Sequence, residues 1–180
     1  MRKEIGQSPD EVFDVVDEAD RVIGVLPRAE IHRRQLRHRA VHIFWLRPDG
    51  QLCLQRRSYA KDNCPGQVST SCAGHVDSGE GYLQAAVREL QEEIGVRIGA
   101  GDLHEVDYAP CHPDLGHEFV RSYLLRGEFR PTIGRTEVDS VLWRRPDELD
   151  GWMARFPQAF SLPLVHLWAR PSVRQAMGLA

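Results

Sequence analysis

The chain has 180 residues, 42% of them hydrophobic and 27% charged, an ordinary globular composition with room for one domain and a proper core. Its net charge of −3 argues against a general binder of nucleic-acid polymers or membrane surfaces, which carry a basic excess, so any anionic ligand has to be met locally. No apolar run reaches membrane-spanning length and the opening stretch MRKEIGQSPDEV has no signal-peptide core, so the sequence reads as cytoplasmic.

Residues 11–25 predict a hairpin of two short strands around the turn at Glu18, Ala19 and Asp20. Pro27 then opens the one basic run, PRAEIHRRQLRHR, with Arg28, Arg33, Arg34, Arg37 and Arg39. It reads as a solvated face, with an anion-binding role for one or two arginines as the alternative, because guanidinium suits phosphate. The apolar run 40–46, the turn at Pro48, Asp49 and Gly50, and the alternating run 51–57 predict a second hairpin. Its end carries Arg56 and Arg57, with Lys61 in the following loop, and these three are candidates to bind a far phosphate. Residues 66–74 predict one further strand.

Beyond the central helix described next, strands are predicted over 103–108, 118–126 and 138–143, the first two joined by the loop APCHPDLGH. A helix begins at Pro146, and a closing helix runs from an N-cap at Ser161 to about Ala169. No repeat or linker divides the chain, so residues 1–180 read as a single domain. Cys53, Cys64, Cys72 and Cys111 form no C-x-x-C pair and read as buried thiols in a reducing compartment.

The stretch 74–96, GHVDSGEGYLQAAVRELQEEIGV, organises the rest. A glycine-rich turn feeds a helix predicted from Tyr82 to Glu93 and stopped at Gly95. Leu83, Ala86, Val87, Leu90 and Ile94 share one face, while Ala85, Glu89, Glu92 and Glu93 fall on the other. Carboxylates at these steps converge, and two like charges roughly 6 Å apart at an effective dielectric near 20 repel by about 3 kcal/mol. A solvated helix face is the ordinary explanation. A hard divalent cation is the other, since Mg²⁺ takes oxygen ligands and shares its site with phosphate oxygens.

Gly74, Glu80, Arg88, Glu89, Leu90, Glu92, Glu93, Gly95 and Val96 stand at the spacing of the Nudix signature, and by this resemblance the chain is identified as a member of the Nudix hydrolases. The resemblance implies an α/β fold, an α/β/α sandwich with a mixed sheet. It also implies a Mg²⁺- or Mn²⁺-dependent pyrophosphohydrolase that cuts a diphosphate linked to another group X, nucleoside diphosphates leading by family frequency. The Gly74 carbonyl, Glu89, Glu92 and Glu93 are then the metal ligands, with Glu92 and Glu93 in the catalytic machinery. Glu80 and Arg88 are structural, Arg88 orienting a carboxylate and Glu80 holding the turn to the helix. The general base is expected outside the box, at Glu118 first and Glu137 second. Homodimers are common among such proteins, and the sequence leaves the assembly open.

The stretch from His38 to Glu80 also resembles type I isopentenyl diphosphate isomerase, a Nudix-fold relative that moves protons across a double bond. That enzyme places a catalytic cysteine directly before Gly-His, where this chain has Ala73; Cys72 is one residue away and, in a strand, points to the opposite face. Its two upstream histidine ligands resemble His32 and His38, at a spacing one residue short. The whole chain is most similar to the bacterial isomerase-like Nudix hydrolases. Two further readings stand beside these: a catalytically silent binding module, disfavoured because no box glutamate is missing, and a zinc site on Cys72, His75, Cys111 and His112 or His117, disfavoured because only one pair has ligand spacing. Trp45, Tyr59, Tyr108, Phe119 and Trp143 are candidates to stack on a base, although each is more often a core residue.

Overall fold

A computed structural model describes residues 11–61, 63–134 and 136–179. The centre of the fold is strand β3 (His38–Leu46). It is buried on both faces, which explains why its sequence is a continuous apolar run rather than an alternating one. Val41, Ile43 and Trp45 point to one side, packing with Ala85, Ala86, Leu90 and Ile94 of a long helix. Ala40, Phe44 and Leu46 point to the other and pack with Leu149, Leu164, Leu167, Trp168 and Val173. The result is an α/β/α sandwich with helices covering both faces of one sheet.

In chain order, β1 (Val12–Val16) and β2 (Val22–Pro27) form a separate antiparallel hairpin, followed by α1 (Arg28–Arg34). The main sheet holds β3, β4 (Leu52–Arg57), β5 (Val68–Ser69), β6 (Cys72–His75), β7 (Leu103–His112), β8 (Glu118–Arg126) and β9 (Val138–Arg144). Its path is β5-β4-β3-β8-β7, with β6 added to β3 and β9 added to β4. Only β3 and β8 run parallel, so the sheet is mixed. The helix α2 (Tyr82–Ile94) lies on one face; α3 (Pro146–Arg155), α4 (Leu162–Trp168) and α5 (Pro171–Ala176) lie on the other. No helix among the described residues is long and apolar enough to cross a membrane.

Several sequence expectations need correction. The strand expected over 66–74 is two strands: β5 pairs with β4, then the chain jogs at Thr70 and Ser71 so that β6 pairs with β3. The basic run is not simply solvated. It contains α1, closed by Gln35 in the left-handed region at φ 53°, and Arg33, Arg37 and Arg39 pair with Glu30, Glu18 and Asp20, whereas Arg28 is buried. Strand β7 continues into the first four residues of the expected loop, with its register shifted between Ala109 and His112, and a 3₁₀ turn at Pro113–Leu115 follows. Helix α5 carries no signal that the sequence reading recognised.

The acidic side of α2 is corrected most. Ala85, Glu89 and Glu93 are buried, and of the three glutamates on the helix only Glu92 is exposed. The helix stops where expected: Gly95 sits at φ 69° and its N–H donates to Gln91 O at 3.1 Å. The four cysteines are unpaired; Cys53 and Cys72 are buried, and Cys64 and Cys111 are partly exposed.

Candidate active site

Strand β6 and helix α2 bring the box residues together, and the contact depends on a missing side chain. A Cβ built on Gly74 would lie 2.0 Å from the Glu89 carboxyl carbon and 2.1 and 2.4 Å from its oxygens, so only glycine lets the carboxylate press against the strand. Arg88 ties the rest. Its Nη1 donates to Glu89 Oε1 at 2.7 Å and to Glu92 Oε2 at 3.1 Å. Its Nη2 donates to Glu80 Oε2 at 2.8 Å and to the His75 carbonyl at 2.9 Å. Glu80 Oε2 in turn accepts from Asp77 N at 3.1 Å, closing the glycine-rich turn onto the helix. The hairpin braces this turn from outside, since Asp14 accepts from Ser78 Oγ at 2.7 Å.

Glu93 is almost wholly buried. Its carboxylate accepts from Lys61 Nζ and Gln55 Nε2, both at 3.1 Å, and from Ala73 N at 3.2 Å. Burial alone would raise its pKa, but the Lys61 ammonium and these hydrogen bonds overturn that and hold it below the ordinary carboxylate value. Glu89 goes the other way: burial first, and then the negative Glu93, push it up to about 8 against the pull of Arg88. Lys61 also donates to Glu137. Glu137 is likewise raised, by burial and by Glu93, despite that lysine.

An open cleft of about 210 Å³ is lined by Gly74, Asp77, Glu89, Glu92, Glu137 and Lys61, among others, with Glu93 enclosed behind its wall. A second cleft, of about 320 Å³, adjoins it and shares Lys61, Ala73, Gly74 and His75. Its walls are mixed: Arg28, Arg57, His42 and Asn63 on the polar side, Ala40, Leu115, Leu162 and Pro163 on the apolar side.

Of the expected phosphate binders, Arg57 lines the larger cleft and Lys61 lines both. Arg56 is not brought to either: it lies on the opposite face of β4 and donates to Gly66 O at 3.0 Å. None of the five aromatic candidates lines either cleft. Trp45 and Phe119 are core, and Trp143 lies 3.6 Å beneath the Arg47 guanidinium.

Glu118 stands in a different group. Its Oε1 is 3.1 Å from His75 Nε2 and 3.4 Å from His38 Nε2, and His32, His38 and His75 each offer a ligand atom within 4.8 Å of the others. Burial would raise Glu118, but the two histidines bring it well below its ordinary value. His32 is driven down to about 4, by burial and then by repulsion from His75. Phe13 stacks on His75 at 4.6 Å and closes this side. The Nε2 atoms of His32 and His38 are buried without a well-formed hydrogen bond. The chemistry of this donor set fits a metal ion that accepts imidazole nitrogen, whereas the box carboxylates fit a hard cation.

His75 was missed as a partner of His32 and His38; the sequence singles it out only through the Cys72-x-x-His75 spacing and the Gly-His of the isomerase resemblance. Cys72 stays in the core with its thiol raised well above the usual value by burial, and no metal-binding cluster among the described residues contains a cysteine. At the cleft wall the strand presents Ala73.

The family model described as NUDIX domain matches residues 36–164. An isopentenyl-diphosphate Delta-isomerase of Serratia proteamaculans is 32% identical over 155 residues, 85% of this chain and 87% of that protein. A Nudix hydrolase of Deinococcus radiodurans is 33% identical over 146 residues, 81% of this chain and 85% of its own length. A crystal structure from Deinococcus radiodurans superposes with a TM-score of 0.75 at 29% identity, covering 89% of this chain and 100% of that one.

Proposed function

The chain belongs to the Nudix hydrolase family, and from that premise we propose that it uses Mg²⁺ or Mn²⁺ to hydrolyse the diphosphate bond of a nucleoside diphosphate linked to a group X, or of a related small molecule. The observation that carries the reading is the buried Glu89 carboxylate at the wall of an open cleft, with the fully enclosed Glu93 carboxylate close enough behind it to raise its pKa. Two carboxylates so placed repel, and Glu89 accepts a proton at neutral pH unless a cation is present. Glu89, Glu92, Glu93 and the Gly74 carbonyl would hold a divalent ion, which would neutralise charge at the phosphates and lower the pKa of an attacking water.

The protein's own groups then have separate tasks. Arg88 fixes Glu89 and Glu92 with charge-assisted hydrogen bonds. Lys61 keeps Glu93 ionised and sits where the two clefts meet, within reach of a bridging phosphate. Arg57 and Arg28 offer positive charge along the larger cleft, which takes X. Both candidate bases have partners, Glu137 the ammonium of Lys61 and Glu118 two histidines, and of the two Glu137, with its raised pKa, lines the acidic cleft beside Glu89 and Glu92, whereas Glu118 lines the larger one; nearness to the box carboxylates favours Glu137.

An isomerase-like reaction is the second reading, favoured by the histidine group with Glu118 and opposed by Ala73 at the cleft wall. One experiment separates the two. Wild type and Glu93→Gln are assayed with Mg²⁺ or Mn²⁺ on nucleoside di- and triphosphates, nucleotide sugars, dinucleotide polyphosphates and isoprenoid diphosphates, scoring both phosphate-bond cleavage and deuterium uptake from D₂O. Metal-dependent cleavage that vanishes in Glu93→Gln is expected. Deuterium uptake into an isoprenoid diphosphate without cleavage overturns the hydrolase, and equal inertness with tight binding of one compound points to a binding module.

A further inference from the structure

A further set of nitrogen and oxygen donors stands apart from the groups assigned above to the chemistry. His112 ends β7, Asp114 lies in the single 3₁₀ turn Pro113–Leu115 that follows, and His166 comes from α4, more than fifty residues later in the chain. Asp114 Oδ2 is 3.5 Å from His112 Nδ1 and 3.6 Å from His166 Nδ1. The two imidazoles face each other with centroids 4.5 Å apart. One ligand atom from each of the three residues falls within 4.8 Å of the other two. Among the described residues no arginine or lysine pairs with Asp114; its ionic partners are these two histidines.

We propose that His112, Asp114 and His166 form a transition-metal site at the rim of the larger cleft, distinct from the box carboxylates and from the His32, His38 and His75 group. Bonds of about 2.0–2.2 Å in a tetrahedron put ligand atoms roughly 3.3–3.6 Å apart. Side-chain rotations alone bring these donors to that spacing, because His112 and Asp114 are about half exposed and His166 is partly exposed. Two imidazoles and one carboxylate select Zn²⁺, Ni²⁺ or Co²⁺ over Mg²⁺. Three protein ligands leave a position for water, as the exposure of the site allows. In the metal-free state His112 Nδ1 accepts from Asp114 N at 3.1 Å; coordination through that nitrogen exchanges this bond for the metal.

The site also has a structural consequence. Pro113, Asp114 and Leu115 line the larger cleft from one side, and Leu162 and Pro163 of α4 line it from the other. A metal bound to all three ligands staples the turn to the helix and fixes the cleft wall. His166 itself lines neither cleft, so its removal spares the groups assigned to the chemistry.

The test is Co²⁺ and Zn²⁺ titration of the metal-stripped full chain, read by equilibrium dialysis and by the visible absorption of bound Co²⁺, in wild type, His166→Ala, Asp114→Asn and His75→Ala. Beside any equivalent held by the His32, His38 and His75 group or the box carboxylates, wild type is expected to bind one that survives His75→Ala and is lost in His166→Ala, with affinity at least tenfold weaker in Asp114→Asn. Circular dichroism in chelator checks the fold of each variant; if His166→Ala fails to fold, the exposed Asp114→Asn substitution decides. Unchanged stoichiometry and affinity in the His166 or Asp114 variant, or a wild type whose only transition-metal equivalent disappears with His75→Ala, overturns the proposal.

Discussion

Replacing Gly74 by alanine is the sharpest test of how the acidic cleft is built. The added methyl would meet the Glu89 carboxyl carbon at 2.0 Å, whereas ordinary contact begins near 3.4 Å, so the carboxylate has to retreat by about 1.4 Å. The backbone itself loses nothing: Gly74 is in strand β6 and has no positive φ to protect, and alanine narrows the unfolded ensemble slightly. The clash falls on the far end of one side chain rather than on main chain, so it can be relieved by rotation. Glu89 then leaves both the cleft wall and its 2.7 Å bond to Arg88.

A misplacement of about 1 Å in a reacting constellation lowers rate by roughly 10²-fold, about 2.7 kcal/mol of barrier. Gly74→Ala is therefore expected to lower kcat at least a hundredfold and to weaken Mn²⁺ binding, while the urea midpoint moves little. The assays are steady-state hydrolysis of the best substrate of the panel, Mn²⁺ binding by electron paramagnetic resonance, and urea unfolding in chelator. Wild-type kcat in a folded Gly74→Ala protein would refute the argument, because Glu89 would then be free to move without consequence.

Lys61→Met leaves Glu93 buried without its cation and should destabilise the metal-free protein by about 3–5 kcal/mol; urea unfolding should then show more stabilisation by Mg²⁺ in the variant than in wild type. His42 is buried against Thr70 Oγ1 at 2.8 Å and its pKa is driven down to about 4 by burial. The unfolded chain binds this proton from about pH 6.5 and the native state only near pH 4, so stability is full above 6.5 and falls across that window by up to about 3 kcal/mol. In chelator, His42→Gln should flatten that part of the stability–pH curve relative to wild type, and an identical slope in the two proteins argues against it. Ala73→Cys should add one fast thiol to the count titrated in the native state, whereas Cys72, buried and raised, stays silent until unfolding.

The parts of the fold that could be read from sequence are those in which one local pattern has one tertiary use. Helix α2 announces itself through its apolar spacing and Gly95, and β3 through a run that stays apolar because both its faces are covered. The break between β5 and β6 could not be read, because nothing local to Thr70 and Ser71 says that the pairing partner changes from β4 to β3. Helix α1 was hidden in the arginine run: within it Arg33 pairs with Glu30, and just beyond it Arg37 and Arg39 pair with Glu18 and Asp20 of a distant turn. The site divides in the same way. The box spacing names Glu89, Glu92 and Glu93, but not that two of them are buried; that follows from β6 lying on the helix, which periodicity alone does not encode. His166 joins His112 and Asp114 only because α4 folds back onto the turn after β7.

Strand β6 explains why one short segment governs so much of the site. Within Ala73, Gly74 and His75, the N–H of the first holds Glu93, the missing side chain of the second admits Glu89, and the carbonyl of the third anchors Arg88. The His75 ring meanwhile reaches Glu118 on the other side. The acidic cleft and the histidine group therefore share a rigid backbone and differ in what the side chains add to it. At Ala73 they add only a methyl group to the wall of the larger cleft, which gives that strand position no acid, base or nucleophile to direct at the carbon skeleton of a bound X group. The denser group of carboxylates lies instead at the smaller cleft, which Glu89, Glu92 and Glu137 line with Glu93 buried close to them, while the larger cleft holds Asp114 and the histidine-bound Glu118; on the proposed reading that density of acid suits chemistry at phosphorus over chemistry at carbon.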